Sequence, residues 1–414
     1  MQAFNRQMTD IEKERAKQIK TTIVLLTAFA VFCCIYYFKH SINPQDTTIF
    51  AFSYKYGFIS RGLLGTLWMV LDKILPFSIM NYRAIYIFTE CMTVLFFALI
   101  LYFYYVCMRQ VSTEDVVHAS YLTLFLSIFS FPMFLTYENF GRLDEYLVMI
   151  TLMCCILIVK EKMEWLVVPL CVLGVIMHQG FVFMNVNIVL VLLFYKMLQS
   201  PEKKRKKYGI LFGTTFVLVS AFFLYFELFS HFQGKEIYSE IVSLAKSLSM
   251  DGESYSESLV NHEILGVDVY EEEYIFHLMN RMEMPLFVIA FLPYIVYGGG
   301  FLLRLIHAKQ GKDLLTYLAV VLGGITVIPE MILKVDYGRY MYALIFYYIG
   351  ITLCLLAMGD GEIRQNVNIL FAKLKKQMPA SKIVMLLYPM TFMPFLDVHI
   401  TQRIWDVVQQ IWNR

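Results

Sequence analysis

Charge is what this chain has least of. Asp, Glu, Lys and Arg make up 16% of its 414 residues, where soluble domains carry about 25%, so a water-soluble globule of this length is excluded. Neither sign dominates. With 35 basic and 33 acidic residues the net charge is +2, and the electrostatic footprint of a nucleic-acid-binding surface is missing. The eight cysteines all lie inside apolar runs, with no CxxC pair and no Cys/His spacing. No disulfide framework, metal centre or cofactor is therefore expected. The basic N-terminus (Arg6, Lys13, Arg15, Lys17, Lys20) leads into an apolar run that no small-residue cleavage site follows. A retained anchor is expected there, not a secretory signal. No repeat of fixed period and no two-fold internal similarity is visible, and 35 Phe with 28 Tyr exclude disorder.

What is present is hydrocarbon. Apolar residues make up 58% of the chain, and they gather in runs near 21–38, 84–107, 117–135, 145–159, 164–178, 181–196, 209–229, 284–306, 314–329, 338–357 and 382–396. These predict an all-α polytopic membrane protein of about eleven spans, a single integral membrane domain over 1–414. Several runs are short for about 30 Å of hydrocarbon, which points to broken or tilted helices. The block Lys203-Lys204-Arg205-Lys206-Lys207 and most other basic residues fall on one side, which places the N-terminus in the cytoplasm. The same block also suits contact with anionic lipid.

Two outer segments are long. Residues 39–83 contain the stretch Gly62–Leu75, too short and too charged to span, whose apolar spacing suits a helix lying in the interface. Residues 230–283 hold ten acidic residues from Glu236 to Glu273. Most of these read as a solvated face, with the segment forming a helical cap over whatever lies beneath.

Four polar clusters interrupt the apolar pattern, and this topology puts all four at the outer face. Arg61 sits between glycines in Gly57-Phe58-Ile59-Ser60-Arg61-Gly62-Leu63-Leu64-Gly65, where a helix N-terminus and a guanidinium fork suit phosphate oxygens; a snorkelling arginine is the plain alternative. Glu138, Arg142, Asp144 and Glu145 close the hairpin between the third and fourth spans. Helix capping accounts for one carboxylate but not for two. His178 and Gln179 break two apolar runs, and His178 is either a structural hydrogen-bonded residue or a general base. Glu330, Asp336, Tyr337 and Arg339 join the ninth and tenth spans, where Asp336 and Arg339 either pair with each other or face a ligand. Asp46, just after the first span, and Glu90, at mid-span, are lesser candidates, with Glu90 read as structural.

Three arginines and several acids at an outer interface suit a substrate that is anionic and anchored in lipid. A sugar on a polyprenyl diphosphate fits. Its diphosphate would meet Arg61, Arg142 and Arg339, a base among Asp144, Glu145 and His178 would take the proton of an attacking hydroxyl, and Glu138, Gln179, Asp336 and Tyr337 would contact the rest. Here a resemblance enters. The string Gly57–Gly65 resembles the G-F-V-x-R-G-L-x-G signature of polytopic proteins associated with bacterial capsule and exopolysaccharide synthesis. The order of parts is similar to GT-C-class polyprenyl-dependent glycosyltransferases and Wzy-type polysaccharide polymerases. The resemblance implies a GT-C-like fold, extension or polymerisation of lipid-linked sugars, and other polysaccharide-assembly proteins as partners. GT-C enzymes show an acidic pair in the first outer loop, whereas here Asp46 stands far from any second acid; that departure favours an arginine-based, metal-independent route. A flippase for the same lipid-linked oligosaccharide is the main alternative, and would place charges along a path through the membrane. A membrane O-acyltransferase would want its histidine on the other side.

Overall fold

The computed structural model describes residues 2–135, 140–229, 235–266, 283–333, 337–377, 380 and 383–385, and these contain helices and no strand. The helices are α1 (Gln2–Tyr37), α2 (Pro44–Thr48), α3 (Gly62–Ile74), α4 (Tyr82–Gln110), α5 (Val116–Leu135), α6 (Asp144–Lys160), α7 (Val167–Met177), α8 (Phe181–Met184) and α9 (Val186–Gln199). They continue as α10 (Glu202–Phe229), α11 (Lys235–Leu248), α12 (Glu257–Val260), α13 (Glu283–Ile306), α14 (Gly311–Leu322), α15 (Ile328–Leu333), α16 (Tyr337–Ala357) and α17 (Gly361–Gln377).

Each of the first ten expected runs is helical. Among the described residues, five helices are long and apolar enough to cross a membrane: Glu12–Tyr37, Tyr82–Gln110, Glu202–Phe229, Gly311–Glu330 and Arg339–Ala357. Others are shorter because the chain breaks them. The seventh to ninth helices are interrupted at 178–180 and at Asn185, and the Gly311–Glu330 span narrows to a 3-10 turn at Gly323–Val327. The eleventh run, 382–396, falls outside the described residues except for 383–385.

The layering follows from burial. α6 is buried along nearly its whole length and packs against α4, α7 and α9. α16 lies beside α4, α5 and α9. α1 and α10 stand at the periphery with apolar faces turned outward: Val24, Phe32 and Ile35 on α1, Phe216, Val217 and Leu224 on α10. Apolar residues all round a helix require apolar surroundings on every side, protein on one and lipid on the other.

α6 runs between two chemically different ends. Its C-terminus belongs to a lattice of ion pairs. Glu161 receives Lys196 and Lys204, each at 2.5 Å, Glu164 receives Lys207 at 2.9 Å, and Arg364 reaches Asp115 at 2.6 Å. Its N-terminus, Asp144, faces the segments that join the helices at the other end.

At that end, residues 42–65 form a folded ledge. α3 buries Leu64, Gly65 and Trp68 against residues 49–51 and α7. It turns Leu67, Val70, Leu71 and Ile74 outward at helical spacing, as an interfacial helix would. At 13 residues it is about 20 Å long, too short to span. Over the ledge lies a cap, residues 235–266. Ile241, Ala245 and Leu248, on one face of α11, are buried against α2 and residues 49–51.

Candidate functional site

The ledge is built by close approach. A side chain at Gly65 would collide with the Phe52 carbonyl oxygen and lie 2.6 Å from that of Phe50, and one at Gly62 would lie 2.8 Å from the Tyr54 ring. The Tyr54 amide donates to Thr66 Oγ1 at 2.7 Å. Gly62 and Gly65 thus serve close packing, and their tight fit sets where Arg61 begins α3. Arg61 itself is left-handed, with φ 58°, a conformation that costs a non-glycine residue on the order of 1 kcal/mol.

Asp46 follows from a helix start. Asn43 caps α2 by accepting from the Gln45 amide at 2.9 Å, and Pro44 occupies the first turn. Asp46 is 4% exposed, and its Oδ2 has no hydrogen-bond partner among the described residues. Gly141, at φ 93°, presses the 140–143 turn onto this segment: a side chain there would lie 3.0 Å from Ile42 Cγ2. Burial pushes the Asp46 carboxyl up to about 7; Asp144 adds to the rise, and Arg142, Arg339 and Arg61 oppose it.

The α7–α8 break carries the histidine. α7 ends at Met177, and His178 Nδ1 accepts from the Gly180 amide at 2.8 Å. An imidazole whose Nδ1 accepts an N–H carries its own proton on Nε2. That Nε2 lies 3.3 Å from Arg61 Nη2. The guanidinium, a donor only, and the ring nitrogen thus stand side by side at the cavity. His178 is thus held between the Gly180 amide on one ring nitrogen and the Arg61 guanidinium on the other. Gln179 Oε1 accepts from Ser60 Oγ at 2.8 Å, tying the break to the residue before Arg61.

The third element is an ion pair across 195 positions. Arg339 Nη2 reaches Asp144 Oδ1 at 3.0 Å, with the two side chains 16% and 12% exposed. Asp144 is thereby a fixed counter-charge at the start of α6.

Arg61, Arg142, Asp144, His178, Gln179 and Arg339 all line one cavity of about 410 Å³, together with Asp46. Gln45, Glu227, His262, Glu330 and Tyr340 complete its polar lining, and Phe183, Met184 and Phe223 its apolar wall. A second cavity, of about 340 Å³ among α5, α13, α16 and α17, is lined by side chains such as Phe125, Tyr294 and Phe371 and by no charged group. It holds no candidate chemistry.

No protein-family model, curated protein or solved structure matches this chain. The geometry stands alone.

One expected residue points elsewhere. Glu145 is 1% exposed, accepts from Thr93 Oγ1 at 3.0 Å and does not line the cavity. Consecutive helical residues diverge by about 100°, so Asp144 faces the cavity and Glu145 faces α4. The cavity therefore does not bring Glu145 together with the other expected residues. Glu138, Asp336 and the Tyr337 side chain lie outside the described residues. Among the described residues Arg339 pairs with Asp144.

Sequence reasoning undervalued Asp46, which it ranked low for want of a second acid nearby. The nearby acid is Asp144, ninety-eight positions on in the chain and close enough in the fold to act on Asp46 electrostatically. It also missed His262, Glu227 and the buried Glu263, each hidden among acidic or apolar residues with no local pattern to single them out.

Proposed function

We propose that this protein transfers or polymerises sugars carried on a polyprenyl diphosphate, at the outer face of a bacterial cytoplasmic membrane, in capsule or exopolysaccharide synthesis. One observation carries the reading. Three arginines and a buried carboxyl, drawn from segments up to 293 positions apart, share a single cavity at one end of an apolar helical bundle.

In this mechanism Arg61, Arg142 and Arg339 bind the diphosphate, and an oxygen set between Arg61 Nη2 and His178 Nε2 takes a hydrogen bond from each. Asp46 is the base. As the acceptor hydroxyl attacks the anomeric carbon, its proton passes to Asp46, the bond from that carbon to the phosphate oxygen breaks, and the departing diphosphate keeps the electron pair. A carboxyl poised near neutrality balances proton affinity against being ionised at the working pH. The guanidinium groups stabilise charge that grows on the leaving group, the arrangement that lowers such barriers most. Asp144 holds Arg339 and does not take the proton. The apolar wall of Phe183, Met184 and Phe223 adjoins the outward apolar face of α10, where a prenyl tail would leave the cavity for lipid. The basic end at Lys203–Lys207 would then lie in the cytoplasm.

The test is complementation of a strain that makes a polysaccharide and lacks this chain. Wild type restores polymer. Asp46→Asn and Arg339→Ala, present in the membrane at wild-type level, leave single repeat units on the lipid carrier at the outer face. Full polymer from Asp46→Asn removes the mechanism, and lipid-linked units trapped on the cytoplasmic face would assign transport instead.

A further inference from the structure

The cap contributes more than cover. Glu263 sits on a single π-helical turn, Asn261–Leu265, closed by left-handed Gly266 at φ 63°; such turns occur frequently at functional sites. Its carboxylate is 1% exposed and lies 3.3 Å from Arg61 Nε. The neighbouring His262 lines the cavity and Glu263 does not. Glu263 therefore stands behind the guanidinium, where a ligand in the cavity does not reach it, while Arg61 Nη2 points to His178 on the other side. The turn is held from several directions: the Ser256 amide donates to Thr48 Oγ1 at 3.0 Å, Glu240 pairs with Lys55, and the apolar face of α11 is buried on the ledge.

We infer that Glu263 is the positioning residue of Arg61, fixing its Nε edge so that its Nη edge is presented to a diphosphate, and that the cap is an integral part of the anion site. This rests on reading the cavity as a diphosphate site. A left-handed arginine on a helix cap has a flexible side chain with several rotamers open to it. A buried carboxylate at Nε selects one and neutralises the charge left on the far side of the guanidinium. Removal would leave the arginine desolvated and free to turn.

The experiment titrates inorganic pyrophosphate into the full chain in phosphatidylcholine nanodiscs by calorimetry. Glu263→Ala is expected to weaken binding at least tenfold, Glu263→Gln, which keeps the side chain's shape but not its charge, to recover part of that loss, and Arg61→Ala to weaken it as much as Glu263→Ala. The double variant Arg61→Ala/Glu263→Ala should bind no worse than Arg61→Ala alone, because the two side chains act as one. Melting curves of all four identify any variant that has lost its fold, and Glu263→Gln, isosteric with the native residue, then carries the comparison. Wild-type affinity in Glu263→Ala, or losses that multiply in the double variant, would overturn the inference and leave the diphosphate reading intact. Absence of pyrophosphate binding in the wild type would overturn the diphosphate reading, and this inference with it.

Discussion

Asp46 gives the account its most quantitative consequence. Its carboxyl rises from 3.8 to about 7 through burial, so between those values the folded chain keeps a proton that the unfolded chain has released. Stability then falls as pH rises, by about 1.4 kcal/mol for each unit, and levels off above pH 7. Ionising the folded site costs about 4 kcal/mol in all, on the order of a third or more of a typical folding free energy. Asp46→Asn removes the titration while keeping size and polarity. The variant should match wild type near pH 4, exceed it by a margin that grows up to pH 7, and hold that margin to pH 9. Melting temperatures of both proteins in nanodiscs at half-unit intervals from pH 4 to 9 provide the assay, and their difference cancels His178, His262 and every other shared group. Activity should run the opposite way: kcat/KM for transfer rises tenfold per unit below pH 7 and then flattens, as expected for one essential base. Parallel melting profiles for the two proteins would refute the reasoning, since they would mean that Asp46 titrates like a solvated carboxylate.

Other consequences are sharper in sign than in size. Arg339→Ala leaves Asp144, only 12% exposed, without the counter-charge it pairs with, a loss of about 3 kcal/mol when such a pair is buried. Arg339→Ala/Asp144→Ala should recover much of that stability, measured by thermal aggregation, and none of the transfer activity. Glu145→Gln should keep polymer synthesis, because the amide oxygen still accepts from Thr93 and the side chain is outside the cavity; loss of polymer with normal membrane level would restore Glu145 to the mechanism. Gly65→Ala should abolish folded protein, since the added carbon meets two backbone carbonyl oxygens that cannot swing aside. Gly298→Ala, with nothing within 4 Å of the new carbon, should be neutral or slightly stabilising by fluorescence-detected chromatography.

How much of this was legible in the chain depended on range. Apolar runs gave the helices, and the stretch from Gly62 to Leu75 emerged as one whose outward residues recur at helical spacing. Arg61, Arg142, His178 and Arg339 were visible because charge at the end of an apolar run needs a reason, and the loops that carry them converge. The rotation of α6 was not legible. Its residues are apolar all round, so nothing in the pattern distinguishes the face of Asp144 from that of Glu145. Helix breaks also blurred the count of spans, because a run such as 181–196 stays apolar across Asn185 while its backbone does not stay regular. Asp46 depends on Gly141 pressing a distant turn against it, and Glu263 was one acid among ten in a segment where Glu240, Asp251, Glu253 and Glu257 are solvent-facing. Burial of a single member of a charged segment is decided by tertiary packing alone.

The most direct measurement reconstitutes the purified chain in liposomes bearing a polyprenyl-diphosphate oligosaccharide and follows the lipid by mass spectrometry. Free polyprenyl diphosphate appearing in step with a lengthening glycan, and absent with Asp46→Asn, is what the account predicts. Lipid carried across the bilayer with its glycosidic phosphate bond intact would contradict it.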